Sequence, residues 1–141
     1  AFTVLHPQIE VKTSESRALI KKEVSLKKMV KQSANLGAFV SALYTENYEL
    51  IGRSMQDLII EPFRSNLIPD FEKLKKSSQD NGSLSFGISG SGPSVFSLAR
   101  DMSKAKKIGE SFEKIYNELN IKFDVHTSYV NNLGIKIIES K

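Results

Sequence analysis

Cysteine is absent from this 141-residue chain, which excludes disulfides and thiolate metal sites and fits a reducing compartment. Histidine is scarce: His6 and His126 stand far apart and belong to no metal-ligand spacing, so no metal site is expected. No apolar run approaches the ~20 residues needed to span a bilayer, and no signal peptide is visible. The expected setting is therefore cytoplasmic, with no membrane partner. Neither sign of charge dominates. The net charge is only +4, and the lysines cluster as Lys21-Lys22, Lys27-Lys28-Lys31, Lys73-Lys75-Lys76 and Lys104-Lys106-Lys107. Each cluster falls on an expected helix among acids and apolar residues, and reads as a solvated helix face. A continuous basic stripe with interleaved aromatics is missing, which argues against a nucleic-acid partner. No internal repeat, low-complexity tract or linker divides the chain. Its length suits one domain, residues 1–141, with a core that needs no staples.

What the sequence does have is glycine concentrated in one place. Gly87-Ile88-Ser89-Gly90-Ser91-Gly92-Pro93 holds three glycines and two serines in seven residues. The alternating run Leu84-Phe86-Ile88 leads in and Val95-Phe96-Ser97-Leu98-Ala99 leads out, so the stretch joins two strands. Glycine removes the Cβ and admits positive φ, which lets backbone N–H groups line a concavity able to hold an anion. The serine hydroxyls offer further donors. The stretch has neither the lysine of a P-loop nor the spacing of a dinucleotide fingerprint, and a strand follows it where a helix should. By itself it reads first as a glycine-rich hairpin that serves geometry alone.

Around this loop the chain alternates in type. Phe2 to Leu5 and Ile9 to Val11 read as strand pieces broken by His6-Pro7. Thr13 to Ile20 opens a helix, with a hydroxyl at the cap and Glu15 in the first turn. Ser25 caps the longest helix, to about Tyr44, whose apolar residues recur at three- and four-residue steps; its second half should be well buried. Asn47 caps a helix that stops near Ile60, because Pro62 pushes Glu61 out of the α region. Arg64 then sits on a rigid turn. Asp70 caps a helix through Ser78, closed by Asn81-Gly82, and Ser103 caps another with Ala105, Ile108, Phe112, Ile115, Tyr116 and Leu119 inward. Phe123 to Tyr129 is a strand, Asn131-Asn132 a turn, and Leu133 to Ile138 a return strand. This order predicts an α+β fold: a ferredoxin-like antiparallel sheet with helices on one face, plus helices inserted before the central hairpin.

Three separated stretches share a resemblance. Thr13-Ser14-Glu15-Ser16-Arg17, Ile60-Glu61-Pro62-Phe63-Arg64 and the glycine loop occur in this order in the homoserine kinases. These belong to the superfamily of galactokinase, homoserine kinase, mevalonate kinase and phosphomevalonate kinase (GHMP kinases). The glycine stretch resembles the superfamily's third motif; the T-x-x-x-R and E-P-x-R stretches resemble homoserine kinases in particular. The resemblance implies the fold of a GHMP kinase C-terminal domain. It further implies that Thr13, Arg17 and Arg64 bind the substrate L-homoserine, the two arginines gripping its α-carboxylate. Guanidinium groups suit that task because their planar fork meets a carboxylate with two parallel hydrogen bonds. By the same resemblance Gly87, Ser89, Gly90, Ser91 and Gly92 face the transferring phosphate.

The superfamily's nucleotide loop and the acidic residue that helps hold magnesium are not matched, and the chain starts abruptly inside a strand. The resemblance is therefore to the C-terminal half alone. It implies that ATP and Mg2+ serve the full enzyme at sites mainly in an N-terminal domain, that this domain is a partner, and that the enzyme is a homodimer. No catalytic residue is assigned in this chain, and kinase activity is not expected from it alone. Two other readings compete. A mevalonate-type kinase of the superfamily would also bind a carboxylate. A non-catalytic amino-acid-binding regulatory module shares the ferredoxin-like core, but has no reason to carry this loop with two distant arginines.

Overall fold

The computed structural model describes residues 1–135, 137 and 139. Burial alternates along Phe2–Pro7, and this segment forms strand β1 with Thr3, Leu5 and Pro7 turned into the core. It is one strand rather than two pieces. Pro7 lies beyond Leu5↔Val95, the last pairing with β3 (Val95–Ala99), so there β1 is paired only with β4 (Phe123–Ser128). A proline is tolerated where only one side of the ladder must be served. After Pro7 the chain leaves the sheet, and the strand expected over Ile9 to Val11 does not form. With β2 (Ser83–Ile88) the sheet is antiparallel throughout, in the order β2-β3-β1-β4. That is the order of a split β-α-β-β-α-β unit, so the ferredoxin-like core is present.

Two amphipathic helices cover one face of this sheet. They are α5 (Phe71–Asp80) and α6 (Met102–Glu118), the latter capped by the Asp101 carboxylate, which accepts from the Lys104 N–H at 2.9 Å. Ser103, expected at this cap, lies inside the helix. The inward stripe of α6 places Ala105, Ile108, Phe112, Ile115 and Tyr116 in the core beside Leu5, Leu74, Phe86 and Val95. Phe112 meets Phe86 edge-on, ring centroids 5.9 Å apart at 75°.

The Tyr116 hydroxyl donates to the Pro69 carbonyl at 2.9 Å. Burial, with the Asp70 charge adding to it, pushes the phenol up from 10.0 to about 12. A raised phenol pKa means that the unfolded chain ionises first as pH rises. Stability from this group is therefore full below pH 10 and is lost between 10 and about 12. We predict that Tyr116→Phe costs about 1 kcal/mol near neutral pH and flattens the loss in that alkaline window. Urea unfolding of both proteins against pH checks this; parallel curves would contradict it.

The remaining helices precede α5. They are α1 (Thr13–Ala18), α2 (Leu26–Tyr44), α3 (Tyr48–Ser54) and α4 (Glu61–Arg64). Ser25 and Asn47 cap α2 and α3 as their side chains allow, accepting from Lys28 N–H at 3.4 Å and Leu50 N–H at 3.0 Å. Helix α3 ends at Ser54, six residues before the expected stop. The Ser54 hydroxyl turns back to the Leu50 carbonyl at 2.6 Å, and the Asp57 carboxylate collects the N–H groups of Ile59, Ile60 and Glu61. Asp57 thus starts α4, and Pro62 sits in its first turn, where proline is favoured, rather than marking the end of a helix.

The expected burial of the second half of α2 is not found. This helix packs on α3 beside the edge strand, not over the sheet, and Ala42 is its one buried residue. Leu36 is 65% exposed and Tyr44 89%, with Leu26, Met29, Val30, Val40 and Leu43 also exposed along the helix. The return strand expected over Leu133 to Ile138 falls partly outside the described residues, and Leu133, Gly134, Ile135 and Ile137 are not in strand.

Candidate functional site

The β2–β3 hairpin carries the glycine loop at its open end. Gly90 and Gly92 have φ of +63° and +80°, values that only glycine adopts freely, and they fold Ser89–Ser94 into a tight turn. The Ser89 N–H donates to the Ser94 carbonyl at 2.8 Å, and the Gly92 N–H to the Ser89 carbonyl at 3.1 Å. The N–H groups of Gly90 and Ser91 have no such partner among the described residues. Ser89 and Gly90 are exposed, so the tip of the loop is open to solvent. Gly87, expected in the loop, is instead buried inside β2, paired with Phe96. A Cβ there would come within 3.3 Å of the Phe96 ring and 3.5 Å of a Glu61 carboxylate oxygen. Its lack of a side chain leaves room for those two groups.

Two elements distant in sequence close on this loop. Helix α1 presents Ser16, fully buried, whose hydroxyl is 3.5 Å from the Ser91 carbonyl. From α4, the Arg64 guanidinium donates through Nη1 to the Gly90 carbonyl at 3.0 Å. Arg17 follows Ser16 in the last turn of α1 and is exposed. Thr13 is the first residue of α1 and exposed; Lys12 holds the cap position, so the Thr13 hydroxyl is not used for capping. Arginines 47 positions apart in the chain are thus carried on elements that both touch the glycine loop.

Beneath the loop lies a cavity of about 270 Å³, walled by α2, the 54–61 segment, α4 and the hairpin. Arg64 forms part of its lining, and its Nε is buried with no hydrogen-bond partner among the described residues. The Nδ2 of Asn35, also in the wall, is in the same state. Glu61, whose side chain is only 12% exposed, accepts from Lys75 Nζ at 2.7 Å, which ties α4 to α5. The sequence reading missed Ser16, Asn35, Asp57, Glu61 and Lys75 as parts of this region. Lys75 had been read as solvated with its cluster. Lys73 does lie at the surface, where its hydrogen bond to Glu118 at 2.8 Å raises its pKa and lowers that of the glutamate. Of the missed residues only Asp57 had a local signal: a carboxylate two to four residues before a Glu-Pro helix start.

The described residues contain no group of three histidines, aspartates or glutamates that could hold a metal ion, and no helix long and apolar enough to cross a membrane. Residues 39–118 match the family described as GHMP kinases C terminal. The chain is 38% identical over 137 residues to a homoserine kinase of Chloroherpeton thalassium, covering 96% of this chain and 43% of that protein. A homoserine kinase of Chlorobium phaeobacteroides is 39% identical over 138 residues, with the same coverage. The chain therefore spans about two-fifths of the length of these curated relatives. Among solved structures, homoserine kinase from Cytophaga hutchinsonii superimposes with a TM-score of 0.89 at 45% identity, over 92% of this chain and 41% of that one. Mevalonate kinase of L. major, solved with R-mevalonate, aligns at a TM-score of 0.62 and 13% identity over 89% of this chain and 42% of its own, and shares the fold alone.

Proposed function

The chain belongs to the GHMP kinase C-terminal family, and from that premise we propose that it is the substrate-side part of a homoserine kinase, which phosphorylates the side-chain hydroxyl of L-homoserine. One observation carries this reading: Arg64, on its own short helix, holds the glycine loop by the Gly90 carbonyl and lines the cavity beneath that loop. An arginine so placed can bring an amino acid's carboxylate beside a phosphate-facing turn. Arg17 and Thr13 on α1 complete the substrate side, α1 being seated on the same loop through Ser16.

The loop fits the terminal phosphate of ATP and no more of the nucleotide. Its free Gly90 and Ser91 N–H groups and the Ser89 and Ser91 hydroxyls are donors suited to phosphoryl oxygens. ATP supplies the phosphoryl group when bound; what these residues do is stabilise the charge on it and fix the substrate's orientation. Magnesium does not fit here. The two carboxylates in the cavity wall are engaged, Glu61 by Lys75 and Asp57 by three N–H groups. We assign the metal and most of the nucleotide to the N-terminal part of the enzyme, which the exposed stripe of α2 leaves room to seat. The cytoplasm and a homodimer belong to the same proposal.

The test is a coupled ADP-release assay. The natural-length polypeptide containing these residues should turn over L-homoserine with Mg-ATP and prefer it to mevalonate. The 141-residue chain alone should give background. Preference for mevalonate would overturn the substrate, and clear turnover by the chain alone would overturn the division of labour.

A further inference from the structure

The exit of the glycine loop is fastened by His6, a lone histidine in the sequence. Backbone pairing between β1 and β3 stops at Leu5↔Val95. One step further the same register sets His6 opposite Ser94, and there the link passes from main chain to side chains. His6 Nδ1 and the Ser94 hydroxyl are hydrogen-bonded at 2.7 Å, partly buried. A hydroxyl gives or takes the proton, so the bond forms with either neutral tautomer of the ring. Ser94 also closes the neck of the loop, its carbonyl accepting from the Ser89 N–H at 2.8 Å, while the Ser89 carbonyl accepts from the Gly92 N–H at 3.1 Å. Two hydrogen bonds thus lead from His6 through Ser94 to Ser89, the residue before the unpaired N–H groups of Gly90 and Ser91.

The other two anchors of the loop come from short helices. Arg64 holds the Gly90 carbonyl from α4, four residues long, and the Ser16 hydroxyl is 3.5 Å from the Ser91 carbonyl, from α1, six residues long. His6 stands instead on a strand, with its backbone paired to Asp124 of β4. A group built on a sheet holds its neighbours to a tighter geometry than one on a short mobile segment. We propose that His6 is a positioning residue: by holding Ser94 it fixes the loop whose Gly90 and Ser91 N–H groups meet the transferring phosphoryl group. The proposal deepens the kinase reading and rests on it for what the loop binds. It needs no proton transfer by the ring.

Three variants of the natural-length polypeptide test it. His6→Phe keeps a ring and removes its nitrogens, Ser94→Ala removes the same bond from the other side, and His6→Asn returns a polar atom at the δ position. A misplacement of about 1 Å at a reacting centre can cost about 100-fold, so kcat with L-homoserine and Mg-ATP is expected to fall about tenfold in each of the first two. KM for L-homoserine should stay within about twofold, and His6→Asn should recover to within about threefold of wild-type kcat. Unchanged kcat in both single variants, losses on KM alone, or a His6→Asn protein as slow as His6→Phe would overturn the role of His6. The second measurement is independent of turnover: NMR relaxation of the Gly90 and Ser91 amides should show lower order parameters in His6→Phe and in Ser94→Ala than in the wild type. Equal values in all three would overturn the anchoring. If the amides loosen as expected but the wild type fails to phosphorylate homoserine, the functional reading falls and the hold of His6 on the loop stands.

Discussion

Arg64→Lys in the natural-length enzyme is expected to lower kcat/KM for L-homoserine by about 100-fold. A charge-assisted hydrogen bond is worth about 1.5–3 kcal/mol, and 1.4 kcal/mol corresponds to a factor of ten. Arg64 makes one such bond, from Nη1 to the Gly90 carbonyl at 3.0 Å, and its proposed grip on the substrate's carboxylate is a second. A lysine keeps the charge but places it at a single point, so it cannot serve the loop and the cavity together. The loop would lose its tether as well, so the loss should appear in kcat and in KM. Steady-state kinetics with homoserine decides the matter; a loss below about threefold would remove Arg64 from the site.

The second large effect is on stability, and it is clearest as a pair. Both Gly52 and Gly37 lie inside helices, where alanine normally gains about 0.5–1 kcal/mol over glycine. Gly37 has nothing within 4 Å of where a Cβ would stand, so Gly37→Ala should realise that gain. Gly52 faces the edge of the sheet, and its Cβ would stand 2.6 Å from the Leu84 carbonyl oxygen. Ser83 pairs with Ala99 and Ser85 with Leu98, so Leu84 is the extra residue of a bulge. The obstacle is backbone, not the end of a flexible side chain. Gly52→Ala must push α3 off β2, with a loss of about 2–3 kcal/mol expected for an overpacked contact. Urea unfolding of both variants checks the opposite signs. A Gly52→Ala protein as stable as its parent would mean that α3 is not seated on β2.

Local patterns sufficed where a residue's surroundings follow from its own element. The stripe of α6 was read from spacing, and Ala105, Ile108, Phe112, Ile115 and Tyr116 are buried as that spacing implies. Alternation gave β2, β3 and β4, and hence the split β-α-β-β-α-β order. The same logic misjudged α2: periodicity identifies a face suited to burial but not the body that covers it, and no sheet face lies over this helix. It misjudged Glu61-Pro62 because a proline that cannot continue one helix is equally suited to begin another, and only the Asp57 carboxylate decides between them. The cavity was beyond reach for a related reason. Asn35, Glu61 and Lys75 are polar residues that look solvated in sequence. Their burial comes from three separate segments meeting, which no local spacing encodes.

The stripe on α2 also determines how these residues behave as a solute. Leucine, valine, methionine and tyrosine side chains lie open along a helix of 19 residues, a hydrocarbon strip with water on it. Handled as a free polypeptide, the 141-residue chain should be adhesive, scattering more light as it is concentrated and lingering on phenyl resin. A single Val30→Glu exchange, made where the side chain is 59% exposed, should relieve that stickiness and leave the melting temperature where it was.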